Sequence, residues 1–401
     1  MKVIVAGAGP GTEDLYTKQM KEAVEKADLV LTARRLYGPL SALTDKVQVM
    51  GVSDTISYIN SHIEEDMTVC VAASGDTGFY SIASTILKQV RPEALVEFVC
   101  GISSVSCFMA KLKMGYEEIK LVSLHGRDKS IVPYVCYNEK VFALTGGALR
   151  VQDIAKQLLE AGLTEVTLYA GQNLSLEDER IITGRPADLA EMTFDDLAVL
   201  VVENKNYVNR YKTLKDSDFI RGKSPMTKEA IRNLSVAALE IAPSDVVYDV
   251  GAGTGSVTCA MALKACESTV YAVEKEDYAI ELVRENMAKT GIRNIVVKEA
   301  LAPEGLSQFP PADKVFIGGT TGNLKEIISA VLERNREAVF VITAVTLETI
   351  SRAIDVCKEL ALDTEITCAG ISSAQKLGGY HLMKAENPVY IIKGRKHGEE
   401  K

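Results

Sequence analysis

The sequence predicts an α/β protein with two domains, and three observations support this fold class. Short apolar runs alternate with helix-like stretches as far as about residue 204. A polar stretch without a clean period follows over 203–225, and the alternation then resumes as a single open sheet. The length of 401 residues and the hydrophobic fraction of 47% are sufficient for two separate cores.

In the first half, short apolar runs are typical of buried strands. The predicted strands are 2–6, 29–32, 68–73, 95–100, 141–144, 165–169 and 197–202. A helix is predicted over 13–27, after a glycine-rich turn. Because strands and helices alternate, we expect layered sheets with loops at the strand ends.

The second half predicts one open sheet with helices between its earlier strands. The predicted strands lie near residues 246, 270 and 295 and over 314–317, 338–343, 363–368 and 388–392. A loop rather than a long helix separates the last two strands, which favours an antiparallel ending.

A glycine-rich turn with a distant acid is the most informative motif of the chain. Gly251, Gly253 and Gly255 follow Asp249 between a predicted strand over 245–250 and a predicted helix over 256–265. Glycine has no Cβ, so the backbone there can approach a ligand closely. Glu274 follows Gly251 by 23 residues at the end of the next strand, where a carboxylate can accept hydrogen bonds from both ribose hydroxyls of a nucleoside. The alternative is a tight turn without a ligand.

The glycine spacing indicates which nucleoside is bound. A dinucleotide site would have its third glycine at position 256, which is Ser256. An acid followed by Gly-x-Gly-x-Gly instead resembles motif I of the class I S-adenosylmethionine methyltransferases. That resemblance implies a Rossmann-like open sheet and S-adenosylmethionine as cofactor.

Composition argues against several classes of partner. The net charge is −9, aromatic residues make up 6% and Trp is absent, so nucleic acid and an anionic membrane are not expected as main partners. The eight cysteines form no Cys-x-x-Cys pair, and most lie in apolar runs, as in a reducing compartment. We expect no signal peptide, no membrane span and no metal site, and therefore a cytoplasmic protein.

Four loops in the first half follow apolar strands and could meet at one edge of a sheet. They cover residues 7–12, 74–78, 101–105 and 123–127. Together they resemble the tetrapyrrole methylase family, the class III methyltransferases, over about residues 1–200. The resemblance implies two α/β lobes, a cofactor cleft between them and a homo-oligomer, usually a dimer.

The same resemblance implies site residues in the first half. The residues that would line the cofactor cleft are Gly75, Asp76, Thr77, Ser103 and Ser104, with Pro10 on the substrate side. His125 could act as a base or form a structural hydrogen bond. Arg127 could bind a substrate carboxylate or form an ion pair within the fold.

The second half resembles a decarboxylating methyltransferase of corrin biosynthesis over residues 216–393. The resemblance rests on residues 219–232, 316–319, 344–348 and 376–389. With the first half, the chain resembles the fused precorrin-6Y methyltransferases of the cobalamin pathway. In that family one domain methylates one meso carbon, and the other methylates a second and releases carbon dioxide from a ring acetate. The implied domains are 1–204 and 225–395, with a linker over 205–224.

This resemblance implies a cofactor site in the second half. Its residues would be Thr227, Gly251, Ala252, Gly253, Thr254, Gly255, Glu274 and Ala302. Two positions depart from the family pattern. Leu301 stands where an acid often contacts the adenine amine, and Thr343 replaces a common asparagine.

A tetrapyrrole (precorrin) substrate rich in carboxylates would need cations and a proton donor. The candidate cations are Arg221, Lys223, Lys228, Arg232, Lys376 and Lys384. Tyr380 or His381 could donate the proton, with Lys384 beside them, although each could equally be a solvated surface residue. Gly378 and Gly379 predict either a loop over the site or an ordinary hairpin turn.

The residues alone leave two other functions possible. The second half could methylate RNA or protein while the first half docks the target, although the acidic composition does not favour this. The chain could also be a non-catalytic sensor that binds S-adenosylmethionine and regulates a partner.

Overall fold

The structure, a computed structural model, describes residues 1–125, 129–319 and 322–397. The chain divides into two compact units. The first unit comprises Met1–Lys129, Lys140–Leu159 and Thr164–Glu203, and the second comprises Ser130–Glu139, Glu160–Leu163 and Asn204–Lys401. The domain boundaries given above stay a prediction.

The first lobe of the first unit is a parallel five-stranded sheet with the order β3-β2-β4-β1-β5. Its strands are β1 (Lys2–Gly7), β2 (Leu29–Thr32), β3 (Val47–Val49), β4 (Thr68–Ala73) and β5 (Leu95–Val99). Its helices are α1 (Lys18–Lys26), α2 (Arg34–Ser41), α3 (Val52–Ser61) and α4 (Ala83–Gln89). The central strands are buried because helices cover both faces of the sheet.

The helix predicted over 13–27 is shorter in the structure, so that prediction was wrong at its start. Glu13–Leu15 forms one turn of 3-10 helix, and α1 begins only at Lys18. The side chain of Thr17 accepts a hydrogen bond from the Met20 backbone N–H and caps α1. An N-cap residue has extended backbone, which ends the first turn before α1 starts.

The second lobe of the first unit is a mixed five-stranded sheet with the order β6-β7-β10-β8-β9. Its strands are β6 (Lys120–Ser123), β7 (Lys140–Leu144), β8 (Thr167–Gln172), β9 (Arg180–Gly184) and β10 (Ala198–Glu203). The helices along this stretch of the chain are α5 (Ser104–Leu112), α6 (Val132–Tyr137), α7 (Val151–Glu160) and α8 (Pro186–Ala190). Among the described strands of this sheet, β6 and β7 pair in parallel and the other pairs are antiparallel. The expected two-lobed α/β architecture is confirmed.

The second unit contains a seven-stranded sheet with the order β13-β12-β11-β14-β15-β19-β16. Its strands are β11 (Val247–Val250), β12 (Val270–Glu274), β13 (Ile295–Glu299), β14 (Lys314–Ile317), β15 (Val339–Ala344), β16 (Leu362–Ala369) and β19 (Val389–Lys396). Its helices are α9 (Glu229–Leu239), α10 (Ser256–Lys264), α11 (Asp277–Thr290), α12 (Leu324–Leu332) and α13 (Leu347–Glu359). The predicted open sheet with an antiparallel ending is confirmed, because β19 runs antiparallel to both β15 and β16.

The strand order of this sheet reverses at β11. From β11 the chain proceeds to β12 and β13 on one side, and then returns to β14 on the other. In open α/β sheets, ligands bind in the crevice beyond the carboxyl ends of the strands at such a point. The fold therefore directs attention to the loops that follow β11, β12 and β14.

Between β16 and β19 the chain forms a separate hairpin rather than a plain loop. Its strands are β17 (Ser372–Leu377) and β18 (Tyr380–Ala385), and every residue in both is exposed. Leu377 pairs with Tyr380, so Gly378 and Gly379 form a two-residue turn. The structure therefore has the hairpin turn at these glycines, and a role of the hairpin over a site stays a prediction.

Helix α6 belongs to the core of the second unit, although it precedes β7 in the chain. The hydroxyl of Tyr137 lies 2.9 Å from the Ala262 carbonyl oxygen and 2.6 Å from Asn294 Oδ1. Asn294 Nδ2 donates to three backbone carbonyls, including that of Ala265 at 3.0 Å. Burial raises the pKa of Tyr137 well above its ordinary value, so the hydroxyl stays protonated.

A search of the helices in the described part of the chain finds none with the length and apolar character needed to cross a membrane.

Candidate functional site

The turn after β11 has a backbone that favours glycine at three positions. Gly251, Gly253 and Gly255 have φ values of 78°, 57° and 72°, in the left-handed region. At Gly251 a Cβ would lie 3.1 Å from the Gly319 carbonyl oxygen, and at Gly255 it would lie 3.0 Å from Val283. The turn therefore brings bare backbone to the edge of the sheet, as the motif predicts.

Glu274 is fixed by backbone donors at the end of β12. Its Oε2 accepts from the Gly253 N–H at 2.9 Å, and its Oε1 accepts from the N–H groups of Lys275 at 2.8 Å and Glu276 at 3.2 Å. The residue is 9% exposed. A carboxylate has about four lone-pair sites, so Glu274 can still accept from a ligand hydroxyl.

Asp249 lies beneath the same turn and is 1% exposed. Its Oδ2 accepts a hydrogen bond from the Thr258 hydroxyl, which ties β11 to α10. Its Oδ1 is buried and has no hydrogen-bond partner among the described residues. Burial raises the pKa of Asp249 to about 7, and the nearby charge of Glu274 adds to this effect.

A cavity of about 330 Å³ opens at this edge of the second unit, and we call it the second cavity after the unit in which it lies. Its lining residues are Ser224, Pro225, Val250, Gly251, Gly253, Val273, Glu274, Lys275, Tyr278, Ala300, Leu301, Ala302, Gly318, Gly319, Asn323 and Ile327. The amide of Asn323 donates to the Ala302 carbonyl oxygen, and its Oδ1 is buried without a partner among the described residues. A glycine cradle, a fixed carboxylate and an unpaired acceptor suit a nucleoside, which presents hydroxyl and amine donors.

The first unit has a cavity of its own, of about 390 Å³, which lies between its two lobes and which we call the first cavity. The first lobe contributes Gly9, Pro10, Arg35, Ser74, Gly75, Phe79 and Tyr80, and the rest comes from Ser104, Ser123, His125, Leu144, Thr145, Gly171, Leu174 and Asp196–Val199. The loops beneath it pack too closely for side chains. A Cβ on Gly101 would lie 2.3 Å from the Gly75 carbonyl oxygen and 2.4 Å from that of Gly7.

Asp76 holds two of these loops together. Its Oδ1 accepts from the Gly101 N–H at 3.0 Å, and its Oδ2 accepts from the Gly78 N–H at 2.9 Å. It is not among the residues that line the first cavity. In this structure Asp76 shapes the cavity by positioning backbone.

Comparison with known proteins agrees with two units that each have a cavity of their own. The Precorrin methyltransferase domain family matches residues 218–396, and the Tetrapyrrole (Corrin/Porphyrin) Methylases match residues 2–190. A probable cobalt-precorrin-6B C(15)-methyltransferase (decarboxylating) from Pyrobaculum calidifontis is 40% identical over 170 residues, which are 42% of this chain and 87% of that protein. The chain belongs to the precorrin methyltransferase family. Tetrapyrrole methylases and precorrin methyltransferases use S-adenosylmethionine as methyl donor.

Two further similarities accompany this family membership. A probable cobalt-precorrin-6B C(15)-methyltransferase (decarboxylating) from Saccharolobus solfataricus is 41% identical over 177 residues, which are 43% of this chain and 89% of that protein. The crystal structure of a precorrin-6Y C5,15-methyltransferase from Geobacter metallireducens has a TM-score of 0.44 and 34% identity, and the match covers 46% of this chain and 97% of that one.

In the first unit, some of the predicted site residues lie together at the first cavity and others do not. Gly75, Ser104 and His125 line the first cavity with Pro10. His125 Nδ1 lies 3.3 Å from the Thr145 carbonyl oxygen. Three predicted cofactor residues, Asp76, Thr77 and Ser103, do not line it. Thr77 borders a neighbouring cavity, and Ser103 caps α5 by accepting from the Ser106 N–H. Arg127 lies outside the described residues.

In the second unit, too, some of the predicted site residues line the cavity and others do not. The predicted cofactor residues that line the second cavity are Gly251, Gly253, Glu274 and Ala302, whereas Thr227, Ala252, Thr254 and Gly255 do not line it. Tyr380, His381 and Lys384 lie on the exposed β17–β18 hairpin and do not line the second cavity. Their roles in catalysis stay a prediction.

Arg232 is not available to a substrate, so the prediction that it is a cation for the substrate was wrong. Its side chain is fully buried, 3.2 Å from Asp216 Oδ1. It also donates to the carbonyl oxygens of Thr227 at 2.8 Å and Leu214 at 2.7 Å. The guanidinium fixes the segment that precedes α9, so its role in the structure is packing and hydrogen bonding.

Sequence reasoning missed several residues of both cavities. They are Arg35 in the first cavity and Ser224, Lys275, Tyr278, Gly319 and Asn323 in the second. Arg35 lies three residues after the end of β2, so its place near a strand end was a usable signal. Asn323 lies far from the glycine turn in sequence, and no spacing rule connects the two.

Proposed function

We propose that the chain is a bifunctional S-adenosylmethionine-dependent methyltransferase of cobalamin biosynthesis. In this proposal the first unit methylates one meso carbon of precorrin-6B or its cobalt form. The second unit methylates another meso carbon and removes carbon dioxide from a ring acetate. The observation that carries the methylation with decarboxylation is the 40% identity to a probable cobalt-precorrin-6B C(15)-methyltransferase (decarboxylating) over 87% of that protein. The match of residues 2–190 to the Tetrapyrrole (Corrin/Porphyrin) Methylases supports the other methylation.

The geometry of the second cavity supports binding of the methyl donor there. S-adenosylmethionine supplies an electrophilic methyl group on a sulfonium that is already a good leaving group. The protein therefore has mainly to align the donor with a nucleophilic carbon. The glycine turn and Glu274 meet this need, because the backbone donors that hold Glu274 keep its carboxylate in one orientation.

Asn323 supports the same assignment and answers a question raised by the sequence. Leu301, at the position where the family often has an acid, lines the cavity and cannot accept a hydrogen bond from the adenine amine through its side chain. Asn323 lines the same cavity, and its Oδ1 is a buried acceptor without a partner among the described residues. We propose that Asn323 accepts from the adenine amine in place of that acid.

Decarboxylation needs no separate electron sink from the protein. The conjugated macrocycle beside the ring acetate can accept the electron pair that carbon dioxide leaves behind. What the protein supplies is cations for the carboxylate arms and a proton donor, for which Tyr380 and His381 stay candidates.

The family resemblance also implies how the chain assembles and where it is located. We propose a homo-oligomer in the cytoplasm, with no nucleic-acid or membrane partner. Size-exclusion chromatography with light scattering would measure the mass of the assembly, and a mass of 43.5 kDa, that of one chain, would contradict the oligomer.

The function is tested by incubating the purified chain with a precorrin-6B pool and isotopically labelled S-adenosylmethionine. Mass spectrometry should find products that have gained two labelled methyl groups and lost one carbon dioxide. A product with no labelled methyl group would contradict the proposal. A product with one methyl group would restrict it to a single active unit, and loss of carbon dioxide would show which.

A further inference from the structure

Arg35 occupies an unusual position in the first cavity. It lies in the first turn of α2, three residues after the end of β2, and it lines the cavity beside Pro10 and Ser74. Its Nη1 donates to the Pro10 carbonyl oxygen at 3.2 Å, and its Nη2 donates to the Ser74 hydroxyl. Two neutral oxygens therefore hold a cation at the wall of the cavity.

Arg35 has no counter-charge among the residues that the structure describes. None of their carboxylates lies within 4.0 Å of its guanidinium, and Asp196, the acid that lines the same cavity, pairs with Arg150 Nε at 2.8 Å. A guanidinium has five N–H donors, and within the described part of the chain two of those on Arg35 donate hydrogen bonds. The remaining donors suit a carboxylate, which a guanidinium can bind through two parallel hydrogen bonds.

The rest of the cavity wall is suited to the body of the same ligand. Phe79, Leu144, Leu174 and Val199 give it apolar surface. An apolar wall with one unpaired cation fits a flat conjugated ligand that carries carboxylate arms. The arrangement fits a neutral ligand less well, because the cation would then stay unpaired.

We propose that Arg35 binds a carboxylate arm of the tetrapyrrole in the first cavity. This inference rests on the proposed function, since it takes the substrate to be a polyacid. The competing explanation is that Arg35 only ties the loops of Pro10 and Ser74 together. The two explanations differ because a loop tie would affect cofactor binding and folding, whereas a substrate contact would not.

The test compares full-length Arg35→Gln and Arg35→Lys with Arg34→Gln, a matched control at an exposed neighbour that does not line the cavity. Mass spectrometry measures the product of precorrin-6B that has gained a methyl group without losing carbon dioxide. This product reports the activity of the first unit, because the loss of carbon dioxide is assigned to the second. Arg35→Gln should raise KM for precorrin-6B about ten- to hundredfold, the loss expected for charge-assisted hydrogen bonds. Arg35→Lys should give an intermediate KM, and Arg34→Gln should match the wild type.

Three further readouts separate the explanations. The affinity for S-adenosylhomocysteine and the midpoint of thermal unfolding should be the same in Arg35→Gln and the wild type. Added salt should raise KM more in the wild type than in Arg35→Gln, because the ion pair is screened. An unchanged KM for precorrin-6B in Arg35→Gln would overturn the inference. So would a rise in KM that comes with comparable losses of cofactor affinity and thermal stability. If the wild type methylates no tetrapyrrole, the proposed function fails and this inference with it.

Discussion

The carboxylate of Glu274 accepts a hydrogen bond from the backbone N–H of Gly253, with 2.9 Å between the two heavy atoms. The acid at the end of β12 and the glycine turn after β11 therefore form one connected unit. Two further backbone N–H groups, of Lys275 and Glu276, hold the other carboxylate oxygen. The motif presents its ligand-binding oxygen atoms already oriented, which reduces the cost of ordering them when a ligand binds.

We predict that Glu274→Gln weakens cofactor binding in the second unit. The substitution replaces one acceptor oxygen by an amide donor, which faces the N–H groups that now bind the carboxylate. Loss of charge-assisted hydrogen bonds should lower affinity for S-adenosylhomocysteine about tenfold or more at one site per chain. Titration calorimetry measures this. Glu276→Gln, at an exposed neighbour, is the control, and equal affinities in Glu274→Gln and the control would contradict the prediction.

Gly253→Val should abolish methylation and decarboxylation by the second unit and spare methylation by the first. At φ 57°, a β-branched residue is strained, and its side chain would project at the wall of the second cavity. The two activities are separated by counting labelled methyl groups and carbon dioxide released from precorrin-6B. Gly370→Val is the control, because Gly370 is exposed with open space around it. Full activity in Gly253→Val would place the site elsewhere.

Asp249→Asn should change how stability depends on pH. Burial raises the pKa of Asp249 from 3.8 to about 7, so the folded chain holds a proton there that the unfolded chain releases. This contribution to stability is fully present below pH 4 and is lost as the pH rises to about 7. Between these values the wild type should lose up to about 1.4 kcal/mol per pH unit relative to Asp249→Asn.

Urea unfolding of both proteins without cofactor at intervals from pH 4 to 8 measures this difference. Comparison with Asp249→Asn is needed because other carboxylates titrate in the same range with their own signs. A stability difference that does not vary with pH would mean that Asp249 is ionised throughout.

Tyr137→Phe should destabilise the second unit. Removal of the hydroxyl leaves Asn294 Oδ1 without the partner that now lies 2.6 Å away, in a side chain that is 1% exposed. An unsatisfied buried acceptor costs about 1–3 kcal/mol. Urea unfolding should detect this loss, whereas Tyr211→Phe, at a residue 79% exposed, should have a much smaller effect. Equal stability of the two variants would argue against α6 in the core of the second unit.

Local sequence patterns predicted much of the fold and the centre of the second cavity. The glycine turn and Glu274 belong to adjacent strands, so their spacing alone places them at one sheet edge. Strands such as 68–73 and 314–317 were also predictable, because buried parallel strands are continuous apolar runs.

The remaining features depend on contacts between distant parts of the chain. Tyr137 has a core partner, Asn294, 157 residues away, and no local pattern connects them. Arg232 is charged, and charged residues usually lie at the surface, but its side chain is fully buried. Its Nη atoms pair there with two backbone carbonyl groups and with Asp216. The β17–β18 hairpin has a clear turn signal at Gly378–Gly379, but that signal does not indicate whether the hairpin covers a cavity.

The central claim is that each unit of the chain binds its own methyl donor. Calorimetric titration of the wild type with S-adenosylhomocysteine tests it most directly. We predict two equivalents bound per chain, falling to one in Gly253→Val. Saturation of the wild type at a single equivalent would contradict the account.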